Sequence, residues 1–148
     1  LTSGRIALYS IVLPAGLSIS NISFMSGTTA GVTLTNQWFA LVDNALKVLA
    51  VTADDTSTAW AATTKKTLAI AGAPFITPYT GLYYVGILVK ATTMPTIEGV
   101  SGGSGTGVRA LLPASGGYST SSLTGPSSVG TTLAAIAAQA NFKYAELS

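Results

Sequence analysis

Two adjacent carboxylates, Asp54 and Asp55, are the first residues in this sequence that could do chemistry. They begin a polar stretch that extends to Thr63, where they could form a weak cation-binding loop. Calcium needs about six to eight oxygen ligands, and no nearby residues supply the others at a known spacing. A solvated loop with a turn-forming aspartate is therefore the favoured interpretation, and calcium binding stays open as the alternative.

Paired carboxylates also catalyse glycoside hydrolysis, which needs two acids about 5–10 Å apart. Asp43 and Glu98 are the candidates for such a pair. The chain has five acidic residues in total, so we expect no catalytic residues and a protein that is not an enzyme. The chain has no His and no Cys, which excludes imidazole and thiolate metal sites, cysteine nucleophiles and Ser-His-Asp triads. We expect no cofactor and no metal.

Aromatic side chains can stack on sugar rings, and two of them stand in segments that we predict to be loops. Trp60 and Tyr118 are therefore the candidates for ligand contact. The alternative for Trp60 is that it folds back and closes one end of the core. Three others stand in predicted strands, where an aromatic residue usually belongs to the core: Trp38, Tyr83 and Tyr84. The stretch from Gly102 to Gly107 lacks the Lys-Ser/Thr ending of a phosphate-binding loop, so it predicts a flexible loop.

The charge of the chain is low and scattered. Charged residues make up 8% of the sequence and the net charge is +2, against roughly 25% charged residues in an ordinary soluble domain. Only Lys65 and Lys66 are adjacent, so no basic patch for nucleic acid is indicated. The best apolar stretch, Leu82 to Val89, ends at Lys90 and is too short to span a membrane.

Short β-rich runs separated by Gly, Pro, Asn, Asp and Ser are the elements that must position these residues. We predict about eight to ten strands in one domain over residues 1–148, which is typical of an antiparallel jelly-roll-like β-sandwich. The strongest strand signal runs from Thr80 to Ala91. A bulge is expected near Ile19–Ile22, where the inward face switches, and a tight hairpin turn at Asp43-Asn44. At most one short helix is expected, over Leu133 to Ala140, capped by Thr131 or Thr132.

The segment from Gln37 to Val89 carries a resemblance to a known group of proteins. It contains Gln-Trp-Phe-Ala-Leu-Val-Asp, then Val-Leu-Ala-Val-Thr-Ala-Asp-Asp, then Tyr-Thr-Gly-Leu-Tyr-Tyr-Val-Gly-Ile-Leu-Val. With the ending Tyr-Ala-Glu-Leu-Ser, it resembles a virion domain of tailed bacteriophages, especially those of actinobacterial hosts, of the minor tail protein or tail-fibre type. The Gly-Leu-Tyr-Tyr step is also similar to the entry of a core strand in trimeric jelly rolls of the tumour-necrosis-factor type.

This resemblance implies a structural protein on the surface of a phage particle, more on the tail than on the head. It implies a host-facing tail-fibre or minor tail domain that adheres to host-surface glycan, self-associates as a homotrimer and contacts other virion proteins. The main alternative is a capsid decoration or head-fibre protein that binds the capsid lattice. A small carbohydrate-active enzyme is the alternative from another class. The first residue is Leu, which is consistent with a processed product or with a part of a longer protein.

Overall fold

The fold of the chain is taken from a computed structural model that describes residues 1–72, 74–101, 116–134, 136–138 and 141–148. The predicted flexible loop from Gly102 to Gly107 lies outside these residues. The described residues form thirteen strands and no helix. The strands are β1 Ala7–Leu13, β2 Ser18–Ile19, β3 Asn21–Met25, β4 Val32–Asp43, β5 Val48–Val51, β6 Lys65–Ala69, β7 Phe75–Ile76, β8 Gly81–Thr93, β9 Gly99–Ser101, β10 Gly116–Ser119, β11 Ile136–Ala138, β12 Asn141–Lys143 and β13 Ala145–Leu147.

A six-stranded antiparallel sheet forms the centre of the molecule, in the order β11-β10-β1-β8-β4-β5. Its longest strands, β4 and β8, pair from Val32 opposite Thr93 to Asp43 opposite Tyr83. These two strands are rich in β-branched and aromatic residues, which fit a pleated and buried surface. The first strand pairs with β8 on one side and with β10 on the other.

A three-stranded sheet, in the order β13-β3-β6, packs across one face of the central sheet. The core between the two sheets is built from alternating residues of the central strands together with the inward residues of β3. Its largest fully buried members include Phe24, Phe39, Trp60, Tyr83 and Ile87. The predicted all-β antiparallel sandwich is thereby confirmed.

The opposite face of the central sheet is also buried. Trp38, Ala40 and Val42 of β4 lie there in a second apolar cluster. This cluster is covered by residues 120–134, which contribute Leu123 and Leu133 and which we call the C-terminal cover. Burial on both faces explains why β4 carries apolar residues at consecutive positions instead of alternating with polar ones.

The helix predicted over Leu133 to Ala140 is not found in the described residues of that segment, 133–134 and 136–138. Ile136–Ala138 is instead the strand β11, which pairs with β10 in the register Gly117 opposite Ala138. Helix propensity is a weak preference that tertiary contacts override, and here the edge of β10 offers hydrogen bonds to this segment. Thirteen strands are found where eight to ten were expected, because six of them are only two or three residues long and too short to show a period in the sequence.

The bulge predicted near Ile19–Ile22 is instead a break between two strands that belong to different sheets, and the predicted hairpin turn differs in detail. Ser20 separates β2 from β3, and the N–H groups of Ser20 and Asn21 both donate to the Ser148 carbonyl (2.6 and 2.7 Å). At the turn after β4, the residue with positive φ is Leu46 (63°) rather than Asp43 or Asn44. The Asp43 carboxylate directs this turn by accepting hydrogen bonds from the N–H groups of Ala45 and Lys47 (2.8 and 2.9 Å).

Candidate functional site

Asp55 forms a buried ion pair with Lys66 of β6. The Lys66 Nζ lies 3.0 Å from Asp55 Oδ2, with side-chain exposures of 8% and 17%. Lys66 Nζ also donates to the Thr58 carbonyl (2.9 Å), and the Thr58 N–H donates to Asp55 Oδ1 (2.9 Å). The ion pair therefore closes the loop from Asp55 to Thr58 onto the three-stranded sheet.

The pKa of Asp55 reflects this enclosure. Burial alone would raise the pKa, but the hydrogen bonds from the Thr58 N–H and from the Lys66 ammonium outweigh it and hold the pKa of Asp55 below its usual value. Hydrogen bonds to the charged form of a carboxyl group favour that form. Asp55 is therefore ionised at neutral pH and serves as an anchor for the loop.

The oxygens of Asp54 are also used inside the protein. Oδ1 accepts from the Gln37 N–H (2.9 Å), and Oδ2 accepts from Asn36 Nδ2 (2.5 Å). Donors from β4 therefore occupy the oxygen positions on Asp54 that a cation would need. On Asp55, the Thr58 N–H and the Lys66 ammonium occupy the equivalent positions. In the part of the chain that the structure describes, no three acidic, His or Cys side chains come together as a metal site. The contacts favour a loop-anchoring role for both aspartates.

The structure corrects the prediction that Trp60 contacts a ligand. Its side chain is 1% exposed, so the ring has no surface on which a sugar could stack. The indole Nε1 donates to the Thr64 carbonyl (2.9 Å), and the ring lies 6.1 Å from Phe39 and 5.8 Å below Lys66 Nζ, measured to the ring centroids. Trp60 closes one end of the core, which is the alternative that the sequence left open.

Trp60 ends a row of aromatic side chains that crosses the core. Tyr9 packs on Phe24 at 6.3 Å, and Phe24 packs on Phe39 at 4.9 Å, both in edge-to-face geometry. Phe39 then contacts Trp60. The row joins the region around Lys66 to Tyr9 of β1, which also lines a cleft.

This cleft contains Tyr118, the second candidate for ligand contact. Tyr118 is half-buried and belongs to β10 rather than to a loop. The cleft has a volume of about 400 Å³ and carries two basic side chains among its seven lining residues. We call it the basic cleft; its lining residues are Leu1, Thr2, Arg5, Ala7, Tyr9, Tyr118 and Lys143.

Backbone pairing holds the walls of the basic cleft in place. Ala7 of β1 lies opposite Tyr118 of β10. A side chain at Gly116 would collide with the carbonyl oxygen of Leu8, so glycine is needed for β10 to approach β1 this closely. The segment before β1 is fixed by Gly4, whose N–H donates to Val89 O (2.9 Å) and whose carbonyl accepts from Leu123 N (2.7 Å).

The two basic residues of the cleft are the part of the site that sequence reasoning missed. Arg5 and Lys143 stand near opposite ends of the chain and appear in the sequence as scattered cations. They converge because β1 pairs beside β10, while β12 brings Lys143 to the same side. Residues so far apart in the chain give no local signal in one sequence that they line the same cleft.

The remaining acidic residues belong to separate places. Asp43 directs the turn after β4, whereas Glu98 lies beside Gly27, in the loop that precedes β4. Glu146 pairs with Lys65 at 3.2 Å, and both side chains are about half exposed, so this pair contributes less than about 1 kcal/mol.

A search of the described residues for a helix with the length and hydropathy of a membrane span finds none. Comparison of the chain with protein-family models, with curated protein sequences and with solved structures finds no match.

Proposed function

We propose that this chain is a non-enzymatic structural domain of a phage particle, which faces the host and adheres to its surface glycan. The proposal rests on the resemblance of Gln37 to Val89 to virion domains of tailed phages. The observation that carries adhesion is the basic cleft, an open site of about 400 Å³. This volume lies within the range of small-molecule sites.

The use of the acidic side chains supports a structural role over a hydrolytic one. The carboxylates of Asp43, Asp54 and Asp55 all accept backbone N–H groups of their own chain. A hydrolase needs two carboxyl groups that face a substrate and differ in pKa. Here three of the five acids instead anchor the turn after β4 and the loop after β5.

The architecture supports presentation of a site on a rigid scaffold. The central sheet is covered on both faces, and binding residues are commonly displayed at the margin of such a scaffold. A single shallow cleft binds one sugar weakly. Linking three copies in a homotrimer would raise the avidity by roughly 10²–10⁴, which is the mechanism that we propose for attachment.

A second candidate, capsid decoration, is favoured by exposed apolar side chains around the turn after β1. Val12 is 72% exposed, Ile76 is 54% exposed, and Leu17 is also exposed. Pairing of Ser18 with Ile76 brings β2 and β7 together beside this turn. Such a surface suits contact with another protein of the particle.

Immunogold electron microscopy of phage particles that contain this chain separates the two candidates. We expect label at the distal end of the tail, and no label with particles whose gene for this chain is deleted. Label on the capsid would favour capsid decoration and contradict tail adhesion. Absence of label from assembled particles would contradict both proposed functions. Labelled protein should also bind host envelopes; failure to bind any host envelope would overturn the adhesion function.

A further inference from the structure

We infer that the basic cleft binds an acidic saccharide, whose carboxylate or phosphate group lies between Arg5 and Lys143. This inference rests on the proposed adhesion function and names the class of its ligand. It starts from the basic side chains of the cleft, which lack the acidic partners that Lys65 and Lys66 have.

The two cations of the cleft have no acidic partner of their own. Lys65 and Lys66 pair with Glu146 and Asp55, whereas neither Arg5 nor Lys143 forms an ion pair among the residues that the structure describes. Both side chains are half-buried and line one small cleft. An anion bound in the cleft would meet two positively charged side chains, and charges of opposite sign attract.

The chemistry of the two side chains selects the ligand group. A guanidinium presents a planar fork that matches the oxygens of a carboxylate or phosphate, and an ammonium adds a point charge. Two cations match one acidic group of a sugar unit. Nucleic acid needs a longer series of basic residues along its backbone, and the charges of this chain are scattered.

The remaining lining residues suit the rest of a sugar. Tyr118 is half-buried and offers an aromatic ring for the apolar face of a pyranose, while Thr2 lines the cleft and can donate and accept a hydrogen bond. Small-ligand sites typically combine an apolar or aromatic wall with a few polar groups that fix orientation. A cleft that is open to solvent on one side admits a terminal sugar or a side branch of a polymer.

The test is binding of three oligosaccharide probes of equal length by isothermal titration calorimetry. One carries uronic acid carboxylates, one carries phosphodiester groups, and one is neutral. We expect binding of at least one acidic probe that weakens as salt is raised, because screening reduces the attraction. The acidic probe that binds with higher affinity identifies whether the ligand's anionic group is a carboxylate or a phosphate.

Two variants locate the binding, and one variant is their matched control. Arg5→Gln and Lys143→Gln should each weaken the acidic probe by about tenfold, the size of one lost charge-assisted hydrogen bond. Lys47→Gln removes the same charge from an exposed residue next to the β4–β5 turn and should leave binding unchanged. Thermal unfolding of each variant verifies that it is folded.

The inference and the proposed function fail in different ways. Equal binding of the neutral probe, or acidic binding that is unchanged in Arg5→Gln and Lys143→Gln, overturns the inference. Binding of wild type and both variants to host envelopes with equal affinity also overturns it, while adhesion survives through another surface. Acidic probes that bind at the cleft support the inference; if host envelopes are not bound in the same series, the adhesion function fails and the anion site remains.

Discussion

Lys66 lies over an aromatic ring, and Arg5 and Lys143 share a cleft with two tyrosines, yet the surroundings of these cations differ. Lys66 is buried, pairs with Asp55 and lies over the ring of Trp60. Arg5 and Lys143 line an open cleft together with Tyr118, and no acid among the described residues pairs with them. A buried cation with an internal partner is part of the fold, and its loss costs stability. A half-exposed cation without one contributes little to the fold and is available to a ligand.

The largest loss of stability that this comparison predicts comes from removing Lys66, the buried partner of Asp55. Lys66→Met keeps the length of the side chain but leaves the carboxylate of Asp55 enclosed without its cation. Breaking one side of a buried pair costs about 3–5 kcal/mol, and we expect a value at the lower end because Asp55 is 17% exposed. Urea denaturation measures the free energy of unfolding.

The double variant Lys66→Met/Asp55→Asn is the control for this prediction. Asparagine removes the charge but keeps an oxygen that can accept from the Thr58 N–H, so no charge is left enclosed without a partner and the double variant should recover most of the loss. A double variant that is no more stable than Lys66→Met would show that the ion pair does not account for the effect.

The next largest difference in stability is expected between substitutions of the two aromatic residues, Trp60 beside Lys66 and Tyr118 in the basic cleft. Trp60→Leu removes a buried indole, its hydrogen bond to Thr64 and its contact with Phe39, and we expect a loss of about 2–3 kcal/mol. Tyr118→Leu removes a half-buried ring and should cost about 1 kcal/mol or less. Equal destabilisation by the two substitutions in the same urea titration would contradict the distinction between a core residue at Trp60 and a cleft residue at Tyr118.

The pH dependence of stability should come in part from Asp55. Its pKa is lowered in the folded protein, so the stabilisation is complete above the pKa of the unfolded chain, about 3.9. It is lost as pH falls through the folded value. Thermal unfolding from pH 6 to pH 2 should show a decline below about pH 4 that is smaller in Asp55→Asn; equal declines would exclude Asp55 as a source.

The smallest effect on stability is expected at the basic cleft. Arg5→Gln and Lys143→Gln should change the free energy of unfolding by less than about 0.5 kcal/mol, as is usual for residues outside the core and its networks. A loss of 2 kcal/mol or more in urea denaturation would mean that these cations belong to the fold, like Lys66.

The sequence was sufficient to predict the sandwich because its central strands carry strong local patterns. Val85, Ile87 and Val89 alternate along β8 and lie in the core as that pattern indicates. The helix predicted at Leu133 to Ala140 failed because pairing with β10 outweighs the helix preference of alanine. The local signal was real, but the deciding contact lies elsewhere in the chain.

The candidate site was less predictable for the same reason. Tyr118 was singled out as an aromatic residue in a predicted loop; the structure places it in the strand β10, where it lines a cleft. Trp60 has the same local features, but its ring is buried by Phe39 and Lys66 from other strands. Arg5 and Lys143 carried no local signal, because their convergence depends on how β1, β10 and β12 assemble.

Burial of the central sheet on both faces gives the molecule two built-in fluorescent reporters. Trp60 lies in the core between the two sheets, and Trp38 lies under the C-terminal cover; they are the two tryptophans of the sequence. Trp38→Phe therefore leaves emission from the sandwich interior, and Trp60→Phe leaves emission from the covered face.

For each variant, the unfolding transition measured by tryptophan emission is compared with the transition measured by circular dichroism. Coincident transitions mean that the cover and the sandwich unfold as one cooperative unit. A Trp38 signal that changes first would mean that the cover detaches while the sandwich stays folded.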